Sequence, residues 1–186
     1  MKTCICTVIK NEHQYLDEWI QYHLRLGIDY IFIFEDIDSE THKDITDKYD
    51  KVSLLSVNSI LNDEERDLVI ELKLTKKSNP QFICLQNALK FIQKTNIYDW
   101  CFCIDCDEFI TLENANDKLL NIISNYNSYD AIILQWKCYG ASGYINKPDY
   151  ANKGIIETYT DEMKGHIPIK KPYLTKPCYN LQTYKE

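Results

Sequence analysis

The sequence predicts an α/β fold: a mainly parallel sheet with helices on both faces and an irregular C-terminal region. Two observations carry this. Short apolar runs, rich in β-branched residues, alternate with segments of helical periodicity as far as Trp136. Beyond Lys137 the alternation stops, and four of the five glycines and four of the five prolines fall there among many tyrosines.

Taken in order, Thr3 to Ile9 is a buried strand ended by Lys10-Asn11-Glu12. Leu16, Trp19, Ile20, His23 and Leu24 then recur at helical spacing, and Gly27 stops that helix. Tyr30 to Phe34 is a second strand, cut off by Glu35-Asp36-Ile37-Asp38-Ser39-Glu40. A short helix follows over about 41–49, and Val52 to Val57 is a third strand. The charged stretch from Asn62 to Lys77 reads as helix or loop. Asn79-Pro80 supplies a cap residue and then a proline at the first helical position. Phe82, Leu85, Leu89 and Ile92 give the helix it opens an apolar face. Trp100 to Ile104 is a strand that stops in Asp105-Cys106-Asp107-Glu108. A helix over Asp117 to Asn125 and a strand over Ala131 to Trp136 complete the series.

A length of 186 residues predicts one domain, or one domain and a fragment of another, long enough to bury a sizeable core. It is 45% hydrophobic and 26% charged, which is a globular composition. The net charge of −7, with no block of Lys and Arg, argues against nucleic acid as a partner. The segment from Lys164 to Lys176 is locally basic and reads either as a solvated tail or as a surface for phosphates or anionic lipids. Nothing reads as a signal peptide, and no run approaches the ~18 apolar residues of a membrane span. The expected address is the cytoplasm, with peripheral contact at the inner face of a membrane left open. Eight cysteines in such a chain are expected to be reduced. Cys103 and Cys106 form a C-x-x-C, but strand alternation puts them on opposite faces, a poor geometry for shared ligation.

The chemistry is expected where strands end, because open α/β sheets bind ligands at their carboxyl edge. Three strand ends carry acidic groups: Asn11-Glu12, then Glu35-Asp36 with Asp38, then Asp105, Asp107 and Glu108. Converging carboxylates repel one another, and a divalent cation offsets that repulsion. Oxygen ligands favour Mg²⁺ or Mn²⁺. Two aspartates one residue apart at a strand end can divide the work, one on the metal and the other on a water ligand or a ribose hydroxyl. The metal then neutralises a diphosphate and stabilises it as a leaving group. The plain alternative is a solvated turn with a helix-capping Asp.

Four segments carry a resemblance to a known family. They are TVIKNEHQYLDEWIQYHLRLG (Thr7 to Gly27), YIFIFEDIDSE (Tyr30 to Glu40), WCFCIDCDEFI (Trp100 to Ile110) and LQWKCYGASGY (Leu134 to Tyr144). Together they resemble glycosyltransferases related to family two and to the family-ninety-two galactosyltransferases. The resemblance implies a GT-A (Rossmann-like) fold over 1–186, with a nucleotide-sugar-binding part in 1–112 and an acceptor-side part in 113–186. It implies transfer of a sugar from a nucleotide donor, often UDP-linked, to a glycan or lipid-linked acceptor. Bacterial proteins of this kind commonly serve lipopolysaccharide or capsule synthesis.

By the same resemblance Asn11 and Glu12 lie near the nucleoside, and Glu35 or Asp36 near the base or ribose. Asp105 contacts the ribose or donor sugar, Asp107 holds the metal, and this pair is the catalytic candidate. Trp136 and the loop Gly140-Ala141-Ser142-Gly143 shape the acceptor side. Plainer roles stand beside these. Glu12 also suits the positive start of a helix. Trp19 and His23 read as core or helix-face residues, and Glu108 as a partner to the site or a cap of the turn. Tyr144 stands where the family often has His and is given no role. The family pattern continues past a basic segment to a His that completes the metal site; Ile169-Lys170-Lys171-Pro172 is present, but His166 comes too early to be that ligand. An inverting reaction needs a carboxylate base, for which Asp149, Glu157, Asp161 and Glu162 are candidates by position. The alternative reading is a truncated, non-catalytic nucleotide-binding module of the same fold.

Overall fold

In a computed structural model, residues 1–76, 80–114, 116–146, 148–150, 153–162 and 175–183 are described. The elements run β1 (Thr3–Ile9), α1 (His13–Leu26), β2 (Tyr30–Glu35), α2 (Lys43–Thr46), β3 (Val52–Ser56), α3 (Asp63–Thr75), α4 (Gln81–Thr95), β4 (Trp100–Cys103), α5 (Leu119–Ser124), β5 (Ala131–Gln135), α6 (Ile155–Thr158) and β6 (Thr175–Asn180). One six-stranded sheet joins all the strands in the order β3-β2-β1-β4-β6-β5. The first four are parallel, while β6 runs antiparallel to both β4 and β5.

The central strands are buried on both faces, and side-chain alternation sorts their residues into two cores. Ile5, Ile31, Ile33, Trp100 and Phe102 point to one face, where Leu16, Trp19 and Ile20 of α1, Ile45 of α2 and Leu119 and Ile123 of α5 cover them. Cys4, Cys6, Phe32, Phe34, Cys101 and Cys103 point to the other, under Val69 of α3 and Ala88, Leu89 and Ile92 of α4. Cys103 and Cys106 fall in different cores, as the alternation requires. All eight cysteines are free thiols. Because α1 and the α3–α4 pair lie on opposite faces, the chain reverses direction across the sheet between β1 and β4. That is the switch point where α/β sheets open a crevice.

The helix ends follow local chemistry. Gly27 closes α1 in the left-handed region (φ 104°), with the Ile28 N–H donating to the His23 carbonyl. Asn62 and Glu65 form a capping box that makes the charged stretch helical. Pro80 is the N-cap of α4 rather than its first helical residue, and Asn79 lies outside the described residues.

The main correction concerns the C-terminal segment. Part of what reads as a basic tail is β6, an interior strand between β4 and β5. Of the lysines in that tail Lys176 alone is described, and it is not a solvated end but an ion-paired side chain 19% exposed. Lys164, His166, Lys170 and Lys171 lie outside the described residues. Among the described residues no helix is long and apolar enough to cross a membrane.

Candidate functional site

The Asp105–Glu108 turn follows β4 directly and is closed twice. The Glu108 N–H donates to the Asp105 carbonyl (3.1 Å), and the Asp105 N–H donates to Glu108 Oε2 (2.8 Å). Glu108 thus caps the turn. Helix α1 grips the chain just beyond it. Trp19 Nε1 donates to the Glu108 carbonyl (2.7 Å) and the Tyr22 hydroxyl to the Ile110 carbonyl (2.8 Å). The Ile110 N–H donates to His23 Nε2 (3.3 Å), while His23 Nδ1 donates to the Trp19 carbonyl (2.9 Å). Phe109 stacks on the His23 ring with 5.8 Å between centroids. Trp19 and His23 are fully buried and act here as core residues that hold the turn.

The two aspartates of the turn differ in environment. Asp105 is half-buried and engaged at both oxygens, by Gln81 Nε2 on Oδ1 (3.0 Å) and Lys176 Nζ on Oδ2 (2.6 Å). The same ammonium lies 3.6 Å from Glu108 Oε2 and 5.5 Å from the centre of the Trp136 ring. Asp107 is exposed. Desolvation, then repulsion from Asp105 and Glu12, holds its carboxyl above the usual range. Glu108 is pushed up to about 7, chiefly by burial.

Asp107 thus lies within reach of the Asp105 and Glu12 charges, whose repulsion a cation would relieve. The donor set is entirely carboxylate oxygen, which fits Mg²⁺ or Mn²⁺. Among the described residues no three His, Cys, Asp or Glu side chains form a metal cage. An ion held here would have to take its remaining ligands from water or from a bound ligand, as Mg²⁺ commonly does.

At the ends of β1 and β2 the acidic residues are largely committed to the fold. Glu35 Oε1 accepts both from the His42 N–H (2.6 Å) and from His42 Nδ1 (3.1 Å). His42 Nε2 in turn accepts the Glu12 N–H (2.9 Å). The two loops are thereby latched, with His13 stacked on His42 at 4.0 Å. Asn11 adopts a left-handed conformation (φ 57°), accepts the Glu40 N–H on its side-chain oxygen (2.9 Å) and donates its own N–H to Ser39 (3.2 Å). Glu12 is the N-cap residue of α1, where its charge suits the positive start of the helix; its carboxylate accepts the Tyr15 hydroxyl and caps no backbone N–H. Asp36 and Asp38 meet Lys73 of α3 at 2.5 and 2.7 Å, and Asp38 also meets Lys10 at 2.5 Å. Lys10 and then Lys73 hold the Asp38 carboxyl well below the usual carboxylate range.

Between these groups lies a cleft of about 360 Å³ lined by Ile9, Lys10, Glu12, Asp36, Lys73 and Gln81. Gln81 links it to Asp105. A larger hollow of about 470 Å³ beside α2 and β3 shares no residue with this site.

On the segment after β5, Ser142 (φ 47°) and Gly143 (φ 82°) form a tight turn between Ala141 and Tyr144. Left-handed conformations at both central positions are those of a type I′ turn. Ser142 Oγ accepts the Thr160 and Asp161 N–H groups (both 3.0 Å), and the Gly140 N–H donates to the Asp161 carbonyl (2.8 Å). The Ser142 hydroxyl is thus committed to the backbone. Trp136 is 39% exposed beside Lys176. Asp149, Glu157 and Asp161 are exposed, and Glu162 pairs with Lys137 (3.1 Å). The sequence reading did not anticipate Lys176, Lys73, Gln81 or His42. Their partners are 71, 37, 24 and 7 residues away, and only the fold brings the first three to the site.

A mainly parallel sheet with helices on both faces and a cleft at the carboxyl ends of β1 and β2, edged by Lys10, Glu12, Asp36 and Lys73, defines an α/β domain of Rossmann-like type. Residues 1–171 match the family model described as Glycosyltransferase family 92, and the chain belongs to that family. It is similar to glycosyltransferase family 92 proteins of Ricinus communis (25% identical over 94% of this chain), Oryza sativa subsp. japonica (27% over 94%) and Arabidopsis thaliana (26% over 92%). The chain spans 28%, 27% and 29% of the length of these relatives, respectively.

Proposed function

We propose that this chain carries the donor site of a metal-dependent glycosyltransferase that moves a sugar from a nucleotide-sugar, UDP-linked, to a glycan or lipid-linked acceptor. The observation that carries the reading is the exposed Asp107 carboxylate, facing the Asp105 and Glu12 charges next to a cleft at the carboxyl ends of β1 and β2 that Gln81 links to Asp105, in a family 92 chain. In this reading Asp107 holds Mn²⁺ or Mg²⁺, with Asp105 beside it. When bound, such an ion neutralises the diphosphate and stabilises it as it leaves. The residues around it do the positioning. Gln81 and Glu108 fix the orientation of Asp105 and its turn, and α1 holds the turn against the sheet. Lys10, Lys73 and Asp36 line the part of the cleft assigned to the nucleoside. Trp136 and the Gly140–Gly143 turn edge the acceptor side.

We assign the acceptor to surface polysaccharide synthesis on the cytoplasmic side of a membrane, with peripheral contact there.

Asp107→Asn tests the site. The expected result is an intact fold with metal-dependent nucleotide binding lost. Binding by that variant equal to wild type removes the metal assignment. Thermal stability with UDP, GDP or CDP, each with and without Mn²⁺, identifies the donor class. A ligand at ~100 times its dissociation constant adds about 2.7 kcal/mol. UDP binding without any turnover of a UDP-sugar favours the non-catalytic nucleotide-binding module.

A further inference from the structure

We propose that Lys176 is the resident counter-cation of the Asp105–Asp107 turn and couples divalent-cation binding to diphosphate binding; this rests on the donor-site reading above. Lys176 reaches the turn from β6, where it is registered opposite Leu134 of β5. Its ammonium lies 2.6 Å from Asp105 Oδ2, 3.6 Å from Glu108 Oε2 and 5.5 Å from the centre of the Trp136 ring. Gln81 occupies the other Asp105 oxygen.

A divalent ion of this class coordinates oxygen at about 2.0–2.1 Å. It cannot take Asp105 Oδ2 without displacing the ammonium or enduring its repulsion at close range. A bare ion therefore meets one open carboxylate, Asp107, beside an existing positive charge. A diphosphate changes the balance. It adds negative charge, supplies oxygens to the ion and offers the ammonium a charge-assisted partner in exchange for Asp105. Ion and diphosphate then bind together more tightly than either binds alone. Without the lysine, the Asp105 carboxylate has no cation beside it, and a bare ion becomes its best partner.

The test is titration of the 186-residue chain with Mn²⁺, with and without UDP, followed by the electron spin resonance of free Mn²⁺ and by thermal stability. Lys176→Met is expected to bind Mn²⁺ alone about tenfold more tightly than wild type. The enhancement of Mn²⁺ affinity by UDP should fall by about the same factor. Mn²⁺ alone should raise the unfolding temperature of this variant but not of wild type. Lys176→Gln removes the charge while keeping a donor toward Asp105, and carries the same expectation should the methionine variant fail to fold. Lys176→Arg should retain the wild-type coupling. Mn²⁺ affinity unchanged or weakened in both charge-free variants, with the UDP enhancement intact, overturns the coupling role and leaves the donor-site reading standing. No Mn²⁺ binding by any of the proteins, even with UDP, overturns both.

Discussion

His23 is fully buried and uses both ring nitrogens in its neutral form, Nδ1 donating to the Trp19 carbonyl and Nε2 accepting from Ile110. A second proton would sit against the Ile110 N–H, and burial lowers the His23 pKa from 6.5 to about 4. The unfolded chain then holds more protons than the folded one between pH 6.5 and about 4. Stability therefore falls as pH falls through that window, by roughly 3 kcal/mol in all. Glu108 acts in the opposite sense. Its raised pKa makes the folded chain the better proton acceptor between 4.5 and about 7, which partly masks the histidine in a wild-type curve. The comparison with His23→Gln isolates the effect. Its stability deficit, measured by urea unfolding, should narrow by roughly 3 kcal/mol from pH 7 to pH 4. A deficit that stays constant would assign the acid sensitivity to other groups.

At the scale of elements, α1 does two jobs with one sequence. Leu16, Trp19, Ile20 and His23 build the core under the sheet, and the polar atoms of Trp19, Tyr22 and His23 fasten the backbone of residues 108–110. Trp19→Phe keeps an aromatic ring but leaves the Glu108 carbonyl without its donor, at a cost of about 1–3 kcal/mol. It should also weaken Mn²⁺–UDP binding, because the turn that carries Asp105 and Asp107 loses its anchor. A stability loss with unchanged ligand affinity would confine α1 to the core.

Only half of this was legible in the sequence. Helical spacing marks Trp19 and His23 as core, but nothing local says that their nitrogens reach a loop 87–89 residues later. Strands β1 to β5 were legible because each is a dense apolar run. β6 was not, because Thr175-Lys176-Pro177-Cys178-Tyr179-Asn180 mixes a charge and a proline into a strand held by neighbours on both sides. Missing β6 also meant missing Lys176. The position of the paired aspartates at a strand end was legible from the apolar run before them, whereas the use of Glu35 on His42 depends on a latch between two loops.

Across the whole molecule, one sheet serves two cores, and this decides how the protein should unfold. Trp19 and Trp100 both lie in the core under α1, while Phe34 lies fully buried in the other, packed edge-on to Phe91 of α4. Tryptophan fluorescence therefore reports chiefly on the first layer, together with the exposed Trp136. Phe34→Ala removes a fully buried ring from the second layer and should cost about 3–5 kcal/mol. Each central strand contributes alternate residues to both layers, so neither core can loosen without the strands of the other. The fluorescence midpoint in urea should fall in Phe34→Ala together with the far-ultraviolet circular dichroism midpoint, as for a single cooperative transition. A fluorescence midpoint left at the wild-type value while the dichroism midpoint drops would mean that the layers unfold separately. In that case the crevice at the β1–β4 switch point, which draws Gln81 from the second layer and the Trp19-anchored turn from the first, would open before the sheet is lost.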